Sequence, residues 1–233
     1  MAVGINKVYN KVLAIANKEQ RGYIVPQEFN LFADLAQIEI FEQYFYDKNQ
    51  FMRVHGNDGE YSDIIHNLNE KINIFEATAS VNANGQIQAN DFYRLGTVIY
   101  NNQTVVEEVE PHEILYMNKS PLIAPTIARP VYVRETTAFM GIMVEAYPSL
   151  VNSLLTCTYI RKPKKPQWGY VVINDRAMYD ADSSVTTNFE LHVSEETELV
   201  YKILKLAGVS MKRQDIATAG QGLESAQIQQ EKQ

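Results

Sequence analysis

Proline is the residue that most constrains this chain. Eight prolines occur in 233 residues. Pro26 stands alone in the first 110, and the other seven fall between Pro111 and Pro166. Proline lacks an N–H and fixes its own φ, so a helix interior rejects it while loops and strand ends accept it. The distribution predicts a helical N-terminal part and a proline-punctuated part of strands and loops.

Hydrophobic periodicity agrees. Over residues 3–19, Ile5, Val8, Tyr9, Val12, Leu13, Ile15 and Ala16 recur at helical spacing opposite Lys7, Asn10, Lys11 and Lys18, which predicts an amphipathic helix ending before Gly22. Pro26 suits the first turn of a second helix, predicted to run to about Tyr46. That helix is apolar on two sides: Phe29, Phe32, Ala33, Ala36, Ile40 and Tyr44 on one, Leu31, Leu35, Ile38 and Phe45 on the other. A helix of this kind needs covering twice. Leu35, Ile38 and Phe45 are therefore candidate packing or interface residues, covered by the domain itself or by a neighbouring subunit. The first two helices are expected to pair antiparallel, with Phe32 and Ile40 in the core. His55 to Gly59 reads as a turn, and 60–72 as a third amphipathic helix.

Beyond residue 75 the pattern turns to strands. Leu95 to Tyr100 and Thr104 to Val109 flank a predicted Asn101-Asn102 turn. Residues 111–121 read as a short helix or turn. Val131 to Val133, Gly141 to Tyr147, Leu154 to Ile160, Trp168 to Asn174 and the alternating Phe189-x-Leu191-x-Val193 read as strands. No βαβ alternation is visible, so the sheet should be antiparallel or mixed. A last helix is predicted over 195–207, with Ser194 as N-cap, acidic residues in its first turn and Gly208 as its stop. Residues 211–233 hold six glutamines and no aromatic residue. They read as a tail that is disordered or ordered only by a partner. The predicted class is α+β: a helical part (1–75), a mostly antiparallel or mixed β part (76–193), a C-terminal helix packing on the helical part (194–210) and an extended docking tail (211–233).

Function classes narrow by what the residues do not spell. No apolar run reaches the roughly 18 residues that cross a bilayer. A single cysteine, Cys157, allows no internal disulfide, and in its strand-like run it reads as a small core residue. His55, His66, His112 and His192 form no zinc-hydrolase pair, and no phosphate-binding loop is present. Asp180-x-Asp182-x-Ser184 departs from a calcium loop at Val185 and Leu191 and reads as a solvated loop. The expectation is therefore no enzyme, no cofactor and no metal. A net charge of −7 argues against a general nucleic-acid coat while allowing a local basic patch. One such patch exists. Arg161, Lys162, Lys164 and Lys165 cluster around Pro163 and Pro166, with Trp168 at the exit and no acidic residue between Glu145 and Asp175. It is either a solvated loop with Trp168 on the core, a docking loop for an acidic partner, or a phosphate contact.

Three segments carry a family likeness: NKEQRGYIVPQEFN (17–30), FYRLG (92–96) and YIRKPKKPQWGY (159–170). Together they make the chain, up to about residue 210, resemble structural proteins of tailed bacteriophages, in particular the crAss-like group and related marine short-tailed phages. The resemblance implies an adaptor-like ring protein of the head-to-tail connector, just below the portal. It implies about twelve copies around a DNA channel, each meeting the next through unlike surfaces. Its implied partners are the portal protein, other connector ring or tail proteins, and double-stranded DNA that passes without sequence-specific binding. No membrane is involved, and the implied location is the virion, assembled in the host bacterial cytoplasm. The alternative expectation is a phage accessory binding protein, such as an assembly chaperone or a DNA-associated factor.

Overall fold

The computed structural model describes residues 3–16, 24–53, 59–137, 141–174, 176–182, 184–210 and 214–231. The fold is α+β. It divides into two units: residues 1–74 with 163–233, and residues 75–162. The expected boundary near 193 therefore lies at 162/163 instead, and the segment 163–193 belongs to the helical unit.

The helical unit contains α1 (Ile5–Ala16), α2 (Pro26–Arg53), α3 (Gly59–Asn73), α5 (Glu196–Ser210) and α6 (Gln214–Glu231). α1 buries Ile5, Val8, Tyr9, Val12 and Ala16, the predicted face. Its main partner is α5, and it meets α2 through a Tyr9–Phe29 edge contact at 4.7 Å. α5 is thus the larger partner of α1, with α2 meeting it at Tyr9, and the Arg21-Gly22-Tyr23 turn expected to join an antiparallel pair lies outside the described residues. α2 runs to Arg53, beyond the expected Tyr46, and packs on α3 and α5. Ile40 is core, whereas Phe32 is only half-buried. The His55 turn also falls mostly outside the described residues.

Acidic residues at the start of α5 tie it to its neighbours. Glu196 binds Lys7 at 2.7 Å and also Lys11, both on α1. Glu195 meets Lys71 of α3 at 2.5 Å. These bonds from Lys11 and Lys7 hold the Glu196 carboxyl below its ordinary range. The 3-10 turn Val193–Glu195 that leads into α5 is capped by His192, whose ring accepts from the Ser194 N–H at 3.3 Å, so the expected cap Ser194 lies inside that turn. Gly208 does not stop the helix, which continues to Ser210. Residues 188–193 form no strand. Phe189 pairs with Val3 in one bridge, and Phe189 and Leu191 are buried while Val193 is exposed.

The tail departs most from expectation. Residues 214–231 form α6, folded back on α5. Gly220 allows the approach, because a side chain there would meet the Lys205 backbone N at 3.0 Å. Lys202, 2% exposed, lies at the centre of the contact. Its Nζ donates to Glu224 Oε1 and Glu39 Oε1, each at 2.8 Å, with Glu198 Oε1 at 3.6 Å. Glu224 also accepts from Lys205 at 2.9 Å. Burial disfavours both charged forms, yet the mutual hydrogen bonds outweigh it: Lys202 is pushed up and Glu224 down. The tail is thus ordered by charge pairing within its own chain, which corrects the extended arm.

The second unit holds a six-stranded mixed sheet, ordered β1-β6-β2-β3-β4-β5, in which, among the described residues, only β3 and β4 pair parallel. The strands are β1 (Glu76–Ser80), β2 (Phe92–Tyr100), β3 (Thr104–Glu108), β4 (Val131–Thr137), β5 (Gly141–Tyr147) and β6 (Leu155–Arg161), with α4 (Pro111–Met117) between β3 and β4. The β2–β3 turn is the predicted Asn-Asn pair, with φ of 48° and 53° as a tight hairpin turn requires. Cys157 sits in the core with Val98, Val106, Val144 and Leu155. Burial pushes its thiol up, partly offset by a hydrogen bond with the Ala79 backbone, as suits an inert core cysteine.

Candidate functional site

The basic loop is anchored through its backbone at both ends. On the β side, the Arg161 N–H donates to the Phe75 carbonyl at 2.9 Å and its guanidinium lies 5.8 Å from the Phe75 ring centroid. The Lys162 N–H donates to the Asp91 carbonyl at 2.7 Å. On the helical side, the Lys164 N–H donates to Glu190 Oε2 at 2.9 Å, while its carbonyl accepts from Gln37 Nε2 at 2.8 Å. Gln37 Oε1 in turn accepts from the Glu190 N–H at 3.1 Å. Both ends of one buried amide are therefore used to hold two chain segments on α2.

This arrangement sorts the predicted loop residues. Arg161 is half-buried against Phe75, while Lys162, Lys164 and Lys165 are exposed. Lys165 reaches Asp34 only at 3.8 Å. Trp168 is 3% exposed and is not available to a partner. Its ring lies 4.2 Å from Tyr9, and its Nε1–H donates to Asn6 Oδ1 at 3.1 Å. Its backbone N–H donates to Asn30 Oδ1 at 2.8 Å, and its carbonyl accepts from Asn30 Nδ2 at 3.3 Å. A docking role for Trp168 is thus corrected to a structural one. Gln37 and Asn30 were missed by sequence reasoning. Their signal was present, since both fall at helical spacing with Ala33 on the buried face of α2.

The outer face of α2 is bare. Leu31, Leu35 and Ile38 are 67%, 56% and 40% exposed. At 100° per residue they form one stripe, and Glu28 and Glu42 continue it at either end. Neither carboxylate has an ion-pair or hydrogen-bond partner among the described residues. Phe45 behaves differently: it is 7% exposed and packs edge-on against Phe41 at 5.2 Å. Leu35 and Ile38 therefore share an uncovered surface, and Phe45 belongs to the core.

A second uncovered surface lies on the hairpin of β7 (Tyr170–Ile173) and β8 (Arg176–Tyr179). Register pairs Tyr170 with Tyr179, Val171 with Met178, Val172 with Ala177, and Ile173 with Arg176. Cross-strand partners share a face and alternate along the strand. One face carries Tyr170, Tyr179, Val172 and Ala177, and its two tyrosines rest against Trp168 at 5.8 and 5.9 Å. The other carries Val171, Met178 and Ile173 with Arg176 at the tip, all exposed. The sequence suggested the first strand but not its return, because Arg176 to Tyr179 has no alternation of its own.

The β unit adds an exposed apolar group on α4 and the loop after it. Leu115, Tyr116, Leu122, Ile123 and Ile127 face solvent, beside a cavity of about 230 Å³ lined by Val105, Met117, Leu122 and Pro125. Among the described residues, no cluster of three His, Cys, Asp or Glu side chains is placed to hold a metal ion, and no helix is long and apolar enough to cross a membrane. No protein-family model matches the chain, and no curated protein matches it.

Proposed function

We propose that this protein is a structural virion protein: a ring subunit of a phage head-to-tail connector, below the portal, extending the DNA channel and joining portal to tail components. The reading rests on the resemblance of three sequence segments, and one structural observation supports it. A single unit carries two uncovered apolar faces of unlike shape, a helix stripe and a hairpin face. Unlike faces suit heterologous contacts, which close into rings when the rotation allows. In this reading the protein acts by binding, in about twelve copies, and DNA passes through without base-specific contact.

The test is stoichiometry. Purified virions should contain the protein at a fixed ratio near one copy per portal subunit. In isolation it should be monomeric or weakly associated by mass photometry, closing into a ring on a portal template. Absence from virions, or a variable copy number, overturns the reading. Such an outcome would favour an accessory binding protein, a DNA-associated factor in particular, for which the exposed Lys164 and Lys165 are the supporting feature.

A further inference from the structure

We propose that the β7–β8 hairpin of one copy lies on the outer face of α2 of a second copy. Val171, Ile173 and Met178 meet Leu31, Leu35 and Ile38, and Arg176 reaches a carboxylate at one end of the stripe. The inference rests on the ring reading for its geometry, since each copy offers one hairpin and one helix face.

Three observations select this occupant. First, a two-stranded hairpin is at best marginally stable in water unless a face is packed. Here Trp168 supports only the base of one face, whose Val172 is exposed beyond it, while the other is bare along its length. Second, the two surfaces are matched in chemistry. Each presents three aliphatic or thioether side chains, and the charged side chains sharing those faces are opposite: Arg176, paired across the strands with Ile173, on the hairpin, and Glu28 and Glu42 on the helix, with Asp175 preceding Arg176 in the sequence. None of Arg176, Glu28 and Glu42 is used within the chain among the described residues. Third, the helix face does not complement itself. With Glu28 and Glu42 at its two ends, two helix faces would set carboxylate against carboxylate in either direction, which disfavours a symmetric dimer through this face. Six side chains bury far less than the roughly 800 Å² per partner of a stable interface. The contact alone is therefore weak and gains from repetition around a ring.

Cysteine cross-linking tests the contact directly, because Cys157 is buried and silent. Full-length Ile173→Cys and Leu35→Cys chains are mixed at high concentration and oxidised with copper–phenanthroline. The expected result is a disulfide-linked dimer at least several-fold more abundant than in either variant alone. It should also exceed the yield from a control mixture of Leu35→Cys with Leu122→Cys. Adding Arg176→Glu to the hairpin variant should lower the yield several-fold, and Glu28→Arg with Glu42→Arg on the helix variant should restore it. Equal yield in the proposed and control mixtures overturns the inference, as does insensitivity to the charge exchange. The outcome is separable from the ring reading. A protein present in virions at fixed copy number without this cross-link defeats only the hairpin-on-helix contact. A specific cross-link from a protein absent from virions defeats only the connector reading.

Discussion

Replacing Lys202 by Met tests whether charge pairing holds the C-terminal helix in place. Met keeps most of the volume and removes the ammonium. The structure then leaves Glu198 and Glu224 buried with their shared cation gone. Breaking a buried pair from one side costs about 3–5 kcal/mol. Two features place this case at the lower end: Glu224 retains Lys205 at 2.9 Å, and Glu39 is exposed enough to be solvated on its own. The expected loss is about 3 kcal/mol at pH 7. With a urea slope near 2 kcal/mol/M, the midpoint falls by about 1.5 M. Trp168 is the only tryptophan and lies in the helical unit, so its fluorescence reports that unit's unfolding. If the loss is taken as local undocking of α6, amide exchange in 214–231 should quicken by about 100-fold. The sign of the pH effect is fixed. Wild-type Glu224 has a lowered pKa, so its contribution is present above the ordinary glutamate value and lost as pH falls. Without Lys202 the carboxylates protonate more readily, so the gap between variant and wild type narrows towards pH 4. Adding Glu198→Gln and Glu224→Gln to Lys202→Met should recover most of the loss. A loss under about 1 kcal/mol by both readouts, or a gap that does not change with pH, would refute the reasoning.

Gln37→Leu should destabilise the helical unit by about 2–3 kcal/mol in the same Trp168-monitored titration, because it leaves the Lys164 carbonyl and the Glu190 N–H without their shared amide. Glu196→Gln should flatten the acid limb of stability: the wild-type carboxyl is held low by Lys11 and Lys7, so its contribution is present above about pH 4.3 and lost as pH falls through the lower folded value. Urea titrations from pH 7 to 3 check this, and parallel limbs in the two proteins count against it. Ile38→Glu should leave the isolated subunit's stability within about 0.5 kcal/mol, because the side chain already faces solvent, and under the proposed ring function it should lower assembly onto portal as read by mass photometry.

Periodicity found α1, α2, α3 and α5 because each buries a face within its own unit. The buried set of α1 matches its apolar stripe. α2 was legible as two-faced, but periodicity cannot say which apolar residues a partner covers. Phe45 is covered by its own chain while Leu31, Leu35 and Ile38, nearly in line with it, are not. The basic loop was legible as a cluster of cations, yet its fixed part is the backbone, held by Gln37, Asn30 and Glu190 from distant positions. The order of the tail is not legible in its composition, which offers few apolar groups to bury. What orders α6 is the ion contact of Glu224 with Lys202 and Lys205, together with a glycine that lets two backbones approach. Charge pairing across some twenty residues leaves no periodic trace in the sequence.

The bare faces and the net charge of −7 bear on each other. Like-charged subunits repel, and at physiological salt that repulsion reaches about 8 Å, the range of a side-chain contact. An aliphatic contact of six side chains opposes it only weakly, so a free pair of subunits would separate readily. In a closed ring each subunit has two neighbours, and release of one subunit must break two contacts together. A template that holds subunits side by side supplies the proximity that the contact itself lacks. Under the proposed ring function, small unlike faces, repulsion in solution and closure on a template would form one consistent device against premature filaments, which unlike faces would otherwise permit. Strengthening the contact should be harmful for the same reason. Enlarging the apolar hairpin face while keeping Arg176, for example by Val171→Phe, widens the sticky surface. The expected result is concentration-dependent open chains without portal, visible by light scattering. A variant that stays monomeric while assembling normally would show that closure does not depend on keeping the contact weak.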